Sequence, residues 1–134
     1  MAEAQAKNTL RKEERLNSLV LIEKLFSGGS KSLSAFPLRI VYMPVAGEDY
    51  PTASYLISVP KKRFKHAVDR NRVKRQVREA IRHHKAILTD ALKAGGQKAV
   101  IAFIWLDHSL HDSKTVDGKV KKLFLLVSER LVKP

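Results

Sequence analysis

Hydrophobic positions along the chain change period several times, and each change marks an element. Leu19, Ile22 and Phe26 recur at spacings of three and four, with Leu25 beside them, Ser18 ahead and Gly28-Gly29 behind. That pattern predicts a short amphipathic helix, capped by the serine and closed by a glycine in the left-handed conformation. Phe36, Leu38, Ile40 and Tyr42 then alternate, with Arg39 on the other face. Residues Phe36 to Met43 therefore read as a half-buried strand, Phe36 and Tyr42 both on its core side, with Pro37 at a strand start or an edge. The breaker-rich stretch Pro44 to Pro51 joins it, in hairpin order, to a second run from Thr52 to Val59. Lys98 to Trp105 (KAVIAFIW) is almost wholly apolar and predicts a strand covered on both faces. Val120, Leu123, Phe124, Val127 and Leu131 repeat as a helix does, over a segment running from Thr115 or Asp117 to Val132.

Between the second and last strands lies a long helical pattern. Asp69 is placed to cap a helix beginning at Arg70, where its carboxylate also suits the positive end of the dipole. At 100° per residue, Val73, Val77, Ala80, Ile81, His84 and Leu88 form a stripe about 100° wide that faces a core. Asn71, Lys74, Arg75, Arg78, Arg82 and Lys85 gather on the adjoining face, while Arg70 and Arg72 belong to the start of the helix. Of the two adjacent histidines, His84 falls on the packing stripe and His83 turns to solvent. Gly95-Gly96 closes the helix. The whole order is helix, two or three strands, long helix, strand, helix: an α+β chain with a single-sheet α/β sandwich, α-β-β-(β)-α-β-α. Residues 1 to 9 read as a disordered polar tail, leaving residues 10 to 134 as one domain, in keeping with a length of 134.

Charge adds a direction to this architecture. Lys and Arg number 26 against 13 acids, a formal surplus of +13. A surplus of that size repels itself on so small a body, and a polyanionic partner explains it. From Lys61 to Lys85 there are eleven Lys or Arg and only Asp69 and Glu79 to oppose them. Solvated helices mix signs for i to i+4 pairing, whereas here Glu79 alone offers a partner, so the stripe suits a phosphate backbone. No cysteine is present, which removes disulfides, thiol nucleophiles and cysteine zinc sites, and weakly favours an intracellular setting. The longest apolar run, Ala99 to Leu106, is far short of the roughly 20 residues that cross a bilayer, and the start carries no apolar signal stretch.

These residues bring a family into view. Ser58 to Arg82, SVPKKRFKHAVDRNRVKRQVREAIR, resembles the signature of the bacterial ribonuclease P protein component: a lysine pair after a strand, then Arg-Asn-Arg opening a helix that continues with Lys-Arg and Arg. The likeness extends over residues 10 to 132, with its specificity in 58 to 82. It implies a small basic subunit of a ribonucleoprotein that removes the 5′ leader of precursor tRNA. Its catalytic RNA subunit would carry out hydrolysis with bound Mg2+, so no catalytic residue and no metal ligand is expected in the protein. It implies that Lys61, Lys62, Arg70, Asn71, Arg72, Lys74, Arg75, Arg78 and Arg82 meet the RNA subunit. It further implies a cleft between the sheet and the first helix for the single-stranded leader, at Ile22, Phe26 and Arg39. Some members carry an aromatic where this chain has Ile22, and ordinary core packing is the competing role for Phe26. A left-handed βαβ crossover around the basic helix, a cytoplasmic location, no membrane partner and no required protein oligomer complete the expectation.

Two other functions compete. A general RNA-binding or ribosomal protein would share the charge without needing Arg-Asn-Arg on the helix. A metal-dependent nuclease would need clustered acids in a cleft, and the only nearby constellation is Asp107-His108-Ser109-Leu110-His111-Asp112, which reads as an exposed polar loop before it reads as a metal site.

Overall fold

The computed structural model describes residues 25–26, 30–48 and 50–132. Four strands and two long helices make up this part: β1 (Lys31–Ala35), β2 (Leu38–Val45), β3 (Ala53–Ser58), α1 (Ala67–Ala94), β4 (Lys98–Trp105) and α2 (Ser113–Val132). Leu25 and Phe26 are helical, as their spacing predicts; the rest of that first segment, Ile22 included, and the tail at 1 to 9 lie outside the described residues. Among the described residues no helix is long and apolar enough to cross a membrane.

The sheet runs β1-β2-β4-β3. β1 and β2 form the antiparallel hairpin, β4 lies antiparallel to β2, and β3 lies parallel to β4. The hairpin order predicted for the two central runs is therefore corrected, because β4 separates them. Its composition explains the placement: Ala99 to Phe103 are all buried, and only an interior position hides a strand that is apolar on both faces. Since β3 and β4 are parallel neighbours, α1 connects them as a βαβ unit.

One face of the sheet packs under both long helices. Leu38, Ile40, Tyr42, Tyr55, Ile101, Phe103 and Trp105 meet Val73, Val77, Ile81 and Leu88 of α1 and Val116, Val120, Leu123 and Phe124 of α2. Phe124 stands edge-on to both Tyr55 and Phe103. The opposite face has a smaller cluster, Leu25 with Val41, Val100 and Ala102.

Local chemistry shifts several boundaries. The predicted strand from Phe36 joins two elements: Phe36 and Pro37 form the turn between β1 and β2, and β2 runs on to Val45. Phe36 is 58% exposed and not in the core, whereas Tyr42 is buried as expected. The long helix starts at Ala67, with His66 as its N-cap, so Asp69 sits in the first turn and does not cap. Its far end closes as predicted: Gly96 adopts φ +63, and the amides of Gly96 and Gln97 donate to the carbonyls of Lys93 and Leu92. The last helix begins at Ser113, earlier than predicted, because Asp112 caps it by accepting the Thr115 amide at 2.9 Å. Hydrogen bonds from the Thr115 hydroxyl and then its amide hold the Asp112 carboxyl below its ordinary value.

Candidate nucleic-acid interface

The cationic face is built from a fixed turn and a packed helix. After β3 the chain turns tightly, the Arg63 amide donating to the Pro60 carbonyl at 2.9 Å. Buried Phe64 anchors this turn, and the Arg70 guanidinium (Nη1) donates to the Phe64 carbonyl at 2.8 Å. Lys61 and Lys62 are exposed on a segment tied at both ends. Within α1, Val73, Val77, Ala80 and Ile81 are fully buried, which fixes the azimuth of everything on the other side of the cylinder. Asn71, Arg72, Arg75 and Arg78 are exposed there and Lys74 is half-buried. No ion pair involves Arg72, Lys74, Arg75 or Arg78 among the described residues, so their charge faces solvent.

The stripe is shorter than the helical wheel predicts. Arg82 is paired with Glu79 and also meets His83 Nε2 at 3.1 Å. That hydrogen bond holds the Glu79 carboxyl below its usual range and raises Arg82. Lys85, placed on the solvent stripe by the wheel, is buried at 7% exposure. The reason is drift: residues four apart advance by about 40° around the axis, so the packed seam that starts at Val73 and Val77 passes through Ile81 to Lys85, Leu88 and Leu92.

The two histidines reach the second helix. His84 and His83 both bond the Asp117 carboxylate, at 2.7 and 3.1 Å. His84 is partly buried and His83 exposed, as the wheel predicts. Burial works to raise the Asp117 pKa, but the two histidine hydrogen bonds outweigh it and leave it lowered. This couples the back of α1 to α2.

The second candidate area lies on the face of the sheet opposite the two long helices. Arg39 is exposed at the start of β2, on the face that also carries Val41, Met43 and Val45, and its guanidinium donates to Ser32 Oγ across the hairpin at 3.3 Å. Leu25 packs onto this face, fully buried against Val41, Val100 and Ala102. Phe26 beside it is 49% exposed, so core packing is not its role. Ile22 cannot be placed with them, being outside the described residues.

The Asp107 to Asp112 stretch is structural where it is acidic. Asp107 accepts from the His111 ring at 2.7 Å and from the His108 amide at 2.7 Å, while Asp112 is spent on its cap. No group of three or more His, Cys, Asp or Glu among the described residues could hold a metal ion. Among the described residues the side chains do not fit a protein-bound Mg2+. Sequence reasoning passed over Val68, 72% exposed in the first turn of α1 amid the cations, and Arg63, whose Nη1 donates to His108 Nε2 at 3.3 Å. Neither carries a periodic or motif signal.

Comparison with known proteins decides the family. A profile of the family described as Ribonuclease P matches residues 10–124. The chain belongs to the ribonuclease P protein family. It is 40% identical over 119 residues to the ribonuclease P protein component of Porphyromonas gingivalis strain W83, covering 89% of this chain and 86% of that one. It is also 36% identical over 104 residues to the ribonuclease P protein component of Chlorobaculum tepidum, covering 73% and 68%. Among solved structures, the ribonuclease P protein of Thermotoga maritima superposes with a TM-score of 0.66 at 23% identity, over 84% of this chain and 96% of that one. A Staphylococcus aureus RNase P protein mutant with defective mRNA degradation activity gives 0.68 at 17% identity, over 92% and 94%. These two establish the α+β fold, and the family assignment rests on the sequence matches.

Proposed function

We propose that this chain is the protein subunit of a ribonuclease P that removes the 5′ leader from precursor tRNA, binding both the catalytic RNA subunit and the leader. One observation carries the reading: a chain of this family presents Lys74, Arg75 and Arg78, with Arg72 ahead of them, without an ion-pair partner among the described residues, on a helix whose other side is buried. Guanidinium forks take phosphate oxygens in pairs, lysines add charge with less directional demand, and the Asn71 amide both donates and accepts. Lys61, Lys62 and Arg70 extend the RNA contact toward the β3–α1 turn, and Arg82 extends it along the helix. Phe26 and Arg39, with Ile22 ahead of them, receive the single-stranded leader, the ring by stacking and the guanidinium by charge.

In this reading the protein supplies no nucleophile, base or metal ligand. Mg2+ enters through phosphate and base oxygens of the two RNAs, and the protein's cations lower the magnesium concentration needed to hold them together. The complex works in the cytoplasm and requires no second copy of the protein. The test adds the protein to its cognate RNA subunit and precursor tRNA at low magnesium. Accelerated leader removal is expected, and an unchanged rate overturns the proposal.

A further inference from the structure

Another exposed feature lies at the end of the sheet where the β1–β2 turn meets the segment after β4. The turn is fastened there: the Leu106 amide donates to the Pro37 carbonyl at 2.8 Å. The Phe36 ring projects from this turn at 58% exposure. It stands edge-on to the His111 imidazole, with centroids 6.3 Å apart and an interplanar angle of 74°. His111 is itself held three ways. Its Nε2 bonds Asp107 at 2.7 Å, its ring packs edge-on to buried Trp105 at 5.4 Å, and its carbonyl accepts from the Gln76 amide of α1 at 3.0 Å.

The Phe36 ring rests against a fixed imidazole and leaves more than half of its surface to solvent. The segment that carries His111 also reaches a cationic turn. Next to Asp107, His108 meets Arg63, which shares the β3–α1 turn with exposed Lys61, Lys62 and Lys65. The nearby carboxylates are occupied, Asp107 by His111 and Asp112 by the α2 cap. An exposed aromatic ring whose supporting segment also contacts the basic β3–α1 turn through Arg63, on a chain with a surplus of +13, matches an unpaired base on a phosphate chain. An apolar protein surface would leave those charges without partners.

We propose that Phe36 is a stacking platform for an unpaired nucleobase of the bound RNA, with the phosphates on either side of that base drawn to Arg63 and the lysines of the adjoining turn. This rests on the RNA-binding function proposed above, and the experiment separates the two.

Affinity for the cognate RNA subunit, and for the RNA subunit with precursor tRNA, would be measured across a salt series for the wild type, Phe36→Ala, Phe36→Leu, Phe36→Trp and the double variant Arg72→Ala/Arg75→Ala. Stacking predicts that Phe36→Ala and Phe36→Leu lose about tenfold in one of the two measurements. Phe36→Trp retains or gains affinity, and the salt slope stays that of the wild type because no charge is removed. Retained affinity in Phe36→Leu overturns stacking in favour of simple apolar contact. Unchanged affinity in Phe36→Ala, alongside a reduced slope in the arginine double variant, overturns the platform and leaves RNA binding by α1 standing. Failure of the wild type to bind either RNA overturns both. A protein dimer that Phe36→Ala dissolves in sedimentation also overturns the platform, since the ring would then serve a second copy of the chain.

Discussion

Arg70 and Phe64 are joined across the start of the long helix, the guanidinium donating to the backbone carbonyl at 2.8 Å while the Phe64 ring is buried. One arginine of the Arg-Asn-Arg triplet is thus partly spent on holding the lysine turn in place. Arg72, two residues on, is exposed and has no ion-pair partner among the described residues. Similar residues in one motif have different physical duties.

Those duties separate in a stability measurement. Arg70→Ala removes a charge-assisted hydrogen bond and is expected to lower unfolding free energy by about 1–2 kcal/mol, whereas Arg72→Ala stays within about 0.5 kcal/mol of the wild type. Urea denaturation of the two variants checks this. Equal stabilities would mean that the Arg70–Phe64 bond does not hold the turn.

Glu79 offers a way to measure how much of the stripe is available to RNA. Because it already neutralises Arg82, Arg82→Ala is expected to change the salt dependence of RNA binding less than Arg75→Ala, which lowers the slope by about one. Glu79→Gln removes the carboxylate that neutralises Arg82 and repels phosphate, so RNA affinity rises and the slope steepens. A slope in Glu79→Gln equal to that of the wild type would show that Arg82 reaches phosphate despite its partner.

The parts of this architecture that could be inferred without coordinates are those where one periodicity runs uninterrupted. Val73 to Leu88 and Val120 to Leu131 announce their helices because the same face packs turn after turn. KAVIAFIW identifies the central strand because both its faces are buried. β1 is silent: of Lys31–Ala35 only Ala35 is buried, so no alternation marks an edge strand held by its hairpin partner. Phe36 continues the alternation of Leu38, Ile40 and Tyr42 and still leaves the core, since the chain reverses at Pro37 and a turn does not keep a strand's side-chain parity. Lys85 fails for the opposite reason, as a helix of 28 residues lets the packed seam migrate onto its position. The cationic site was legible because charge clusters locally in sequence. The Phe36 end was not, because it gathers residues 36, 63, 76 and 111 from four separate segments.

The clasp between the helices sets an acid limit. Asp117 has a folded-state pKa depressed below 3.8, burial opposing and the His84 and His83 hydrogen bonds prevailing. A depressed carboxylate contributes stability that is whole above its unfolded pKa and is lost as pH falls through the folded one. The contribution of Asp117 is therefore complete at pH 6 and fades below pH 3.8, with Glu79, Asp107 and Asp112 depressed in the same direction. Asp117→Asn is expected to be less stable than the wild type at pH 6, and the gap should narrow toward pH 3 in urea denaturation. A gap that stayed constant would assign the effect of the variant to packing.

Phe26 and Leu25 are neighbours with opposite exposures, 49% and 0%, and this divides stability from recognition on the sheet face that carries Val41, Val100 and Ala102. Removing Leu25 empties a site packed by Val41, Val100 and Ala102, so Leu25→Ala costs about 2–4 kcal/mol. Phe26→Ala exposes no core and leaves Tm nearly unchanged. If the ring stacks on the leader, the same variant weakens binding of leader-bearing precursor tRNA by about tenfold and leaves mature tRNA untouched. Arg39→Ala on the same face should reduce leader affinity in a salt-dependent manner, since its contribution is charge, while the loss in Phe26→Ala persists at high salt. Equal losses of precursor and mature tRNA binding in Phe26→Ala would remove this face from leader recognition, because a leader site must distinguish the RNA that has a leader from the one that does not.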